Sequence, residues 1–179
     1  MKLLLVVLAA LACNIAFASG QTTHLVHAKG AGLTLISRKL DEAKFSGQAW
    51  VTGTLVGRWP AGAGAVAYKA PEYLLVPDAA SSAKLPYFVL REPPYFNSYR
   101  VRTIEIQNGE TALRLALGQK AAGSLVHRRV NAIRASGAFL IKEYSVGVEC
   151  DAPWARALVV KAKIPDRVVQ AHLRVPEGC

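Results

Sequence analysis

The most chemically distinctive stretch of this sequence is a cluster of aromatic rings and prolines near its middle. Residues 85–99, LPYFVLREPPYFNSY, contain five aromatic residues and three prolines. The prolines exclude a regular helix and disfavour a central strand. We therefore predict a rigid irregular loop. Its rings either stack on sugars or bases, with neighbouring arginines contributing, or close one end of the core.

Cationic residues follow this segment directly. Between positions 100 and 134 there are seven lysines and arginines against two glutamates, a balance of +5. If these cations share a face beside the aromatic loop, they form an anion-binding surface; the alternative is that they are scattered and pair with acids or water. The predicted binding residues are Tyr87, Phe88, Arg91, Tyr95, Phe96, Tyr99, Arg100, Arg102, Arg128, Arg129 and Arg134.

No catalytic motif accompanies these residues. The sequence contains neither G-x-S-x-G nor H-E-x-x-H. His127 follows Ser124 closely, but nucleophilic catalysis needs a third, orienting group, and Arg128 and Arg129 favour a surface histidine. We predict no catalytic residue and no cofactor. A small secreted hydrolase with an unrecognised site near His127 or His172 remains the alternative.

Metal binding also lacks a sufficient ligand set. His24 and His27 form an H-x-x-H pair near the start of the predicted mature chain, but two ligands are too few for a specific site. We predict no metal site, and a solvated tail for residues 19–32.

The N-terminus has the features of an export signal. Lys2 precedes an apolar run over residues 3–12, and Ala16-Phe17-Ala18 offers a small-x-small cleavage pattern. We predict cleavage between Ala18 and Ser19 and a periplasmic or secreted product. The alternatives are a lipoprotein anchored at Cys13 and a buried N-terminal helix.

Export leaves two cysteines, Cys150 and Cys179. An even number of cysteines in an oxidising compartment predicts a disulfide bond. In the chain-entropy model, such a bond stabilises the fold by about 3–4 kcal/mol. The alternatives are a metal-binding pair and a reactive thiol.

Net charge indicates the class of partner. The chain carries 22 lysines and arginines against 12 acids, a formal charge of +10. A basic exported protein favours a polyanion (nucleic acid, lipopolysaccharide or acidic glycan) or an acidic partner protein, unless the charge only maintains solubility. After the signal, no apolar run is long enough to span a membrane, so we predict no membrane span in the mature chain.

The elements that position these residues are predicted to be strands. Residues 45–60 alternate apolar or small residues with more polar ones, the period of a strand, and glycines allow a bend. The other predicted strands are 33–37, 73–76, 99–107, 129–141, 144–150 and 157–164, the last with its even-numbered residues on one face. A short helix is predicted over 110–122, capped by Asn108.

The predicted order is three strands, a helix and then further strands, and glycines interrupt the first and fourth strands. Over residues 45–164 this arrangement resembles the OB-fold. That resemblance implies a mainly β fold with one short helix, as a coiled antiparallel sheet in a small barrel. The alternative is an open antiparallel sheet or sandwich with one packed helix. We predict a signal peptide at 1–18, a lead-in at 19–44 and a single β domain at 45–179.

These observations together predict an exported, non-catalytic binding module for an anionic envelope polymer or a partner protein. The alternatives are the small hydrolase and a structural envelope component, because a fold alone does not fix function.

Overall fold

The computed structural model of the protein describes residues 22–26, 32–60, 70–91, 96–97, 100–149, 152–165 and 170–173. In chain order the elements are β1 (Thr22–Val26), β2 (Leu33–Arg38), β3 (Glu42–Arg58), β4 (Glu72–Pro77), α1 (Ala79–Ser82), β5 (Tyr87–Arg91), β6 (Phe96–Asn97), β7 (Ile104–Ile106), α2 (Gly109–Leu117), α3 (Gln119–Val126), β8 (Val130–Glu149), β9 (Ala152–Lys163) and β10 (Gln170–Leu173).

Two long strands, β3 and β8, form the centre of the fold. They pair antiparallel over most of their length, with a register shift between Lys44 and Gln48. Val51 and Leu55 of β3 are buried whereas Thr52 and Arg58 are exposed, which confirms the predicted period of two. Each long strand has two successive partners on its other edge. β3 pairs with β2 and then β4, and β8 pairs with β10 and then β9.

These pairings close a ring of strands. The order is β3, β4, β7, β9, β8 and back to β3, and only the β7–β9 pair is parallel. The helices α2 and α3 lie between the third and fourth strands of the ring in the sequence. The predicted mainly β fold with a coiled multi-strand sheet is therefore confirmed, and its ring is compatible with an OB-like barrel.

The β7 edge of the ring is extended by a side chain. Asn108 follows β7, and its amide nitrogen donates to the Val159 carbonyl at 2.8 Å while its amide oxygen accepts from the Val159 N–H at 2.9 Å. Asn108 was predicted to cap α2, but its side chain makes no capping hydrogen bond. It acts instead as a further rung between β7 and β9.

Several predicted boundaries were wrong. The strands predicted at 129–141 and 144–150 are one strand, β8, of 20 residues. A register shift against β9 between Lys142 and Ser145 accommodates the change of pattern, and Glu143 there has a φ of 52°. The predicted helix 110–122 is two helices, α2 and α3, separated by Gly118 with a φ of 90°.

The segment before α2 also differs from its prediction. Residues 87–91 of the predicted irregular loop form β5, which pairs with β1 and β6 in a separate three-stranded sheet. The strand predicted over 99–107 is confined to β7. Arg100 and Arg102 were expected on one face with Ile104 and Ile106, but the arginines are exposed and the isoleucines are buried.

The core fills the ring and ties the three-stranded sheet to it. Phe45, Phe139 and Tyr144 are among its largest fully buried side chains. The Tyr144 hydroxyl donates to the carbonyl of Pro86 at 2.9 Å, immediately before β5. Burial raises the pKa of Tyr144, so it remains a hydrogen-bond donor. This bond fixes the start of β5 against β8.

Candidate binding groove

A groove of about 270 Å³ lies where β5 approaches β8 and β9. Its lining residues are Tyr87, Phe88, Arg100, Val101, Arg102, Thr103, Val146, Gly147, Pro153, Trp154 and Ala155. We call it the aromatic–arginine groove, because it has an apolar floor, aromatic walls and a cationic rim.

The floor is made by side chains that the strand pattern turns inward. Phe88 of β5 and Val146 of β8 are each 1% exposed, and Val101 and Ala155 are also buried. These residues expose little that could hydrogen bond to a ligand. The floor therefore favours an apolar group.

Two arginines form the rim. Arg100 and Arg102 are exposed and lie on the segment that leads into β7. Within the described part of the chain, neither guanidinium has an acidic partner within 4.0 Å; the ion pairs there join Lys44 to Glu42, Arg58 to Glu72, Lys142 to Glu143 and Arg156 to Glu105. Both are therefore exposed cations at the rim of the groove.

Trp154 forms a wall of the groove, and its position depends on Gly147. The two residues are cross-strand partners, and a Cβ at Gly147 would collide with the indole ring. On the same strand, the Arg156 guanidinium lies 4.6 Å from the Trp154 ring centroid. Arg156 in turn donates through Nε to Glu105 at 2.9 Å, and that hydrogen bond raises the pKa of Arg156.

The sequence did not single out Trp154 as a binding residue. Trp154 lies between the predicted strands 144–150 and 157–164, and Gly147 lies on the first of them. Their meeting depends on the β8–β9 register, which a single sequence does not specify.

Four of the predicted binding residues come together in this groove: Tyr87, Phe88, Arg100 and Arg102. Arg91 and Phe96 are paired positions of β5 and β6, and only their backbone is described. Tyr95, Tyr99, Cys150 and Cys179 lie outside the described residues, as do the predicted signal and Cys13.

The remaining predicted arginines lie at the opposite end of β8. Arg128 and Arg129 immediately precede β8, whereas Val146 of the groove is near its end. At about 3.3 Å per residue, that separation is tens of ångströms along the strand. The Arg128 guanidinium lies 3.9 Å from the ring centroid of Trp59, whose indole N–H donates to the Leu125 carbonyl. Arg134 is exposed on β8 opposite Val56.

A larger cavity of about 640 Å³ lies along β4 and β7. Glu72, Glu105 and Glu110 line it, and Glu72 and Glu105 form ion pairs with Arg58 and Arg156. Burial and the charge of Glu110 raise the pKa of Tyr73 in its wall. Trp59 and Ala70 in the same wall lie next to the ends of the undescribed segment 61–69, and we assign this cavity no ligand.

The Ser124 hydroxyl donates to the Lys120 carbonyl at 2.9 Å, one turn earlier in α3. Across the described ranges there is no group of three His, Cys, Asp or Glu side chains suited to a metal ion. Nor does any described helix have the length and apolar character needed to cross a membrane.

Comparison of the chain with protein-family models, with curated proteins and with solved structures found no match.

Proposed function

We propose that the protein is an exported, non-catalytic binding module whose aromatic–arginine groove holds an anionic group attached to a ring-sized apolar body. The observation that carries this proposal is a pair of exposed arginines, Arg100 and Arg102, above an apolar floor walled by Trp154 and Tyr87. Among the described residues, neither arginine has an acidic partner. Export and the Cys150–Cys179 disulfide remain predictions from the sequence.

The size of the groove limits the bound part of the ligand. Sites for drug-sized molecules usually measure about 300–1,000 Å³, whereas a cavity of about 150 Å³ holds a benzene ring. A volume of about 270 Å³ lies between these values. The groove therefore accommodates one ring with its substituents, as an anchoring subsite for part of a longer partner.

The side chains that line the groove favour a ring that carries a negatively charged group. Arginine binds carboxylate, sulfate and phosphate groups through paired hydrogen bonds. Aromatic walls accept the apolar faces of a ring. One acidic sugar unit of an envelope polymer fits this description, and so does an aromatic residue beside an acidic one in a partner protein.

Binding across a salt series tests the proposal and separates these partners. The probes are heparin fragments, single-stranded DNA and a peptide that alternates aromatic and acidic residues. A groove that uses two arginines predicts a shallow log–log salt dependence with a slope near 2, because each contact contributes about one unit or less.

A slope several times steeper would indicate a long polyanion spread over the surface and would contradict a local groove. Absence of binding by all three probes at low salt would contradict the proposal of an anionic ligand. Tighter binding of the peptide than of the heparin fragments would assign the groove to a protein partner.

A further inference from the structure

A second cationic surface with an exposed aromatic ring lies on the outward side of β3, β8 and β9. Trp50, Leu140 and Lys161 stand in register across the three strands, and Thr52, Ala138 and Lys163 form the next row. Directly paired residues of antiparallel strands point to the same side of a sheet. We call this surface, completed by Arg134 further along β8, the Trp50 face.

Trp50 is unusually accessible for a tryptophan on a central strand. It is 45% exposed, and the Lys163 ammonium lies 4.7 Å from its ring centroid. Within the described residues its indole N–H has no hydrogen-bond partner, whereas that of Trp59 donates to Leu125. The ring therefore presents both an apolar body and a free donor.

The cations around Trp50 lack acidic partners. Lys161, Lys163 and Arg134 are exposed, and none is within 4.0 Å of an acid in the described part of the chain. Lys142, at the edge of the face, pairs with Glu143 at 2.9 Å. Thr52, Thr54, Ser136 and Ala138 between them are small, so a broad surface can approach the cations closely.

We propose that the Trp50 face docks the protein on an anionic lipid surface, with Lys161, Lys163 and Arg134 meeting headgroup phosphates. A tryptophan with a free N–H beside lysines is suited to the boundary between headgroups and acyl chains. Stacking of a sugar or base is disfavoured because the Lys163 ammonium already occupies a face of the Trp50 ring. The Trp50 face shares no residue with the aromatic–arginine groove.

Vesicle partitioning of the intact protein tests this inference. Phosphatidylcholine vesicles with and without phosphatidylglycerol are compared by flotation. We expect partitioning only when the anionic lipid is present, because a lysine near such a surface contributes about 1 kcal/mol. Lys161→Gln with Lys163→Gln should then lower the partition coefficient about 25-fold, near fivefold for each charge.

A charge-matched variant provides the control. Lys120→Gln with Arg129→Gln removes two exposed cations from α3 and the turn after it. It should leave partitioning close to that of the wild type. Equal losses in both double variants would show non-specific attraction and overturn the proposal, as would equal partitioning into neutral and anionic vesicles.

The position of the ring is tested separately. Brominated lipid should quench the tryptophan emission of the wild type, and Trp50→Phe should remove that part of the quenching. Unchanged quenching in Trp50→Phe would place another tryptophan at the lipid and overturn the assignment. Circular dichroism of each variant confirms that it is folded.

Discussion

Each of the three tryptophans in this chain lies beneath a cation. Arg128 lies over Trp59, Arg156 over Trp154 and Lys163 over Trp50, at 3.9, 4.6 and 4.7 Å from the ring centroids. Such contacts contribute about 0.5–1 kcal/mol at exposed sites. The tryptophan contacts also distinguish two groups of cations. Arg128, Arg156 and Lys163 contact aromatic rings, whereas Arg100 and Arg102 contact neither a ring nor an acid among the described residues.

A single buried hydroxyl ties β5, and with it the groove, to β8. Tyr144→Phe should lower the free energy of unfolding by about 1–3 kcal/mol, because the buried Pro86 carbonyl loses its donor. Tyr87→Phe is the matched control, since the Tyr87 hydroxyl has no described partner, and we expect a change within about 0.5 kcal/mol. Urea denaturation measures both. Equal effects of the two substitutions would contradict the importance of the Tyr144–Pro86 bond.

The same hydroxyl makes the free energy of unfolding depend on pH in the alkaline range. Burial raises the pKa of Tyr144 above its ordinary value of 10.0. Above that value the unfolded chain releases the proton while the folded chain retains it, so the unfolded state binds fewer protons. The contribution of Tyr144 to the free energy of unfolding is thus fully present below pH 10. Above pH 10 it falls by up to about 1.4 kcal/mol per pH unit.

Tyr144→Phe lacks this titration and isolates its contribution. The stability advantage of the wild type over the variant should shrink between about pH 8 and pH 11. Urea denaturation at both pH values measures the difference. An advantage that stays constant or grows would show that Tyr144 ionises normally in the folded protein.

At the scale of elements, the break between α2 and α3 is set by backbone conformation. Gly118 has a φ of 90°, and apart from its chain neighbours no described residue comes within 4 Å of the position that a Cβ would take, so the described structure leaves space for a side chain there. Gly118→Ala should destabilise the protein by about 1 kcal/mol or more, because alanine disfavours that φ. Gly123→Ala, inside α3 with its nearest contact at 4.0 Å, should stabilise it by about 0.5–1 kcal/mol.

Thermal unfolding of the two variants provides the measurement. Opposite shifts of the midpoint are expected from the same chemical change. A single uninterrupted helix over residues 109–126 would instead make both substitutions stabilising, and that result would contradict the break at Gly118.

The elements were predictable where the residue period was undisturbed. Residues 45–60 kept their alternation because β3 has no register shift after Gln48. In 157–164 the even-numbered residues were predicted to share a face, but Ala157 and Val159 are buried and Ala162 packs against the core. The register shift of β9 opposite Leu140 and Ile141 reverses the faces, and a period of two does not reveal such a bulge.

Charge is partitioned at the scale of the whole molecule. Glutamates line the large cavity along β4 and β7, while cations without an acidic partner among the described residues lie at the aromatic–arginine groove and on the Trp50 face. This separation favours local recognition over the wrapping of a long polyanion.

The composition of the groove was only partly predictable. Tyr87, Phe88, Arg100 and Arg102 are close together in the sequence, and all four line the groove. Trp154 joins them through strand pairing, and Arg128 and Arg129 are separated from them by the length of β8. Both facts depend on tertiary pairing, which local residue patterns do not encode.

In the proposed module, the position of two arginines, and not the total charge, determines binding. Affinity for the tightest-binding probe of the heparin, DNA and peptide panel is compared between two double variants with equal charge. Arg100→Gln with Arg102→Gln should weaken binding at least about tenfold, because hydrogen bonds to charged groups contribute about 1.5–3 kcal/mol. Lys120→Gln with Arg129→Gln should leave the affinity within about twofold. Equal losses in both variants would contradict a specific groove.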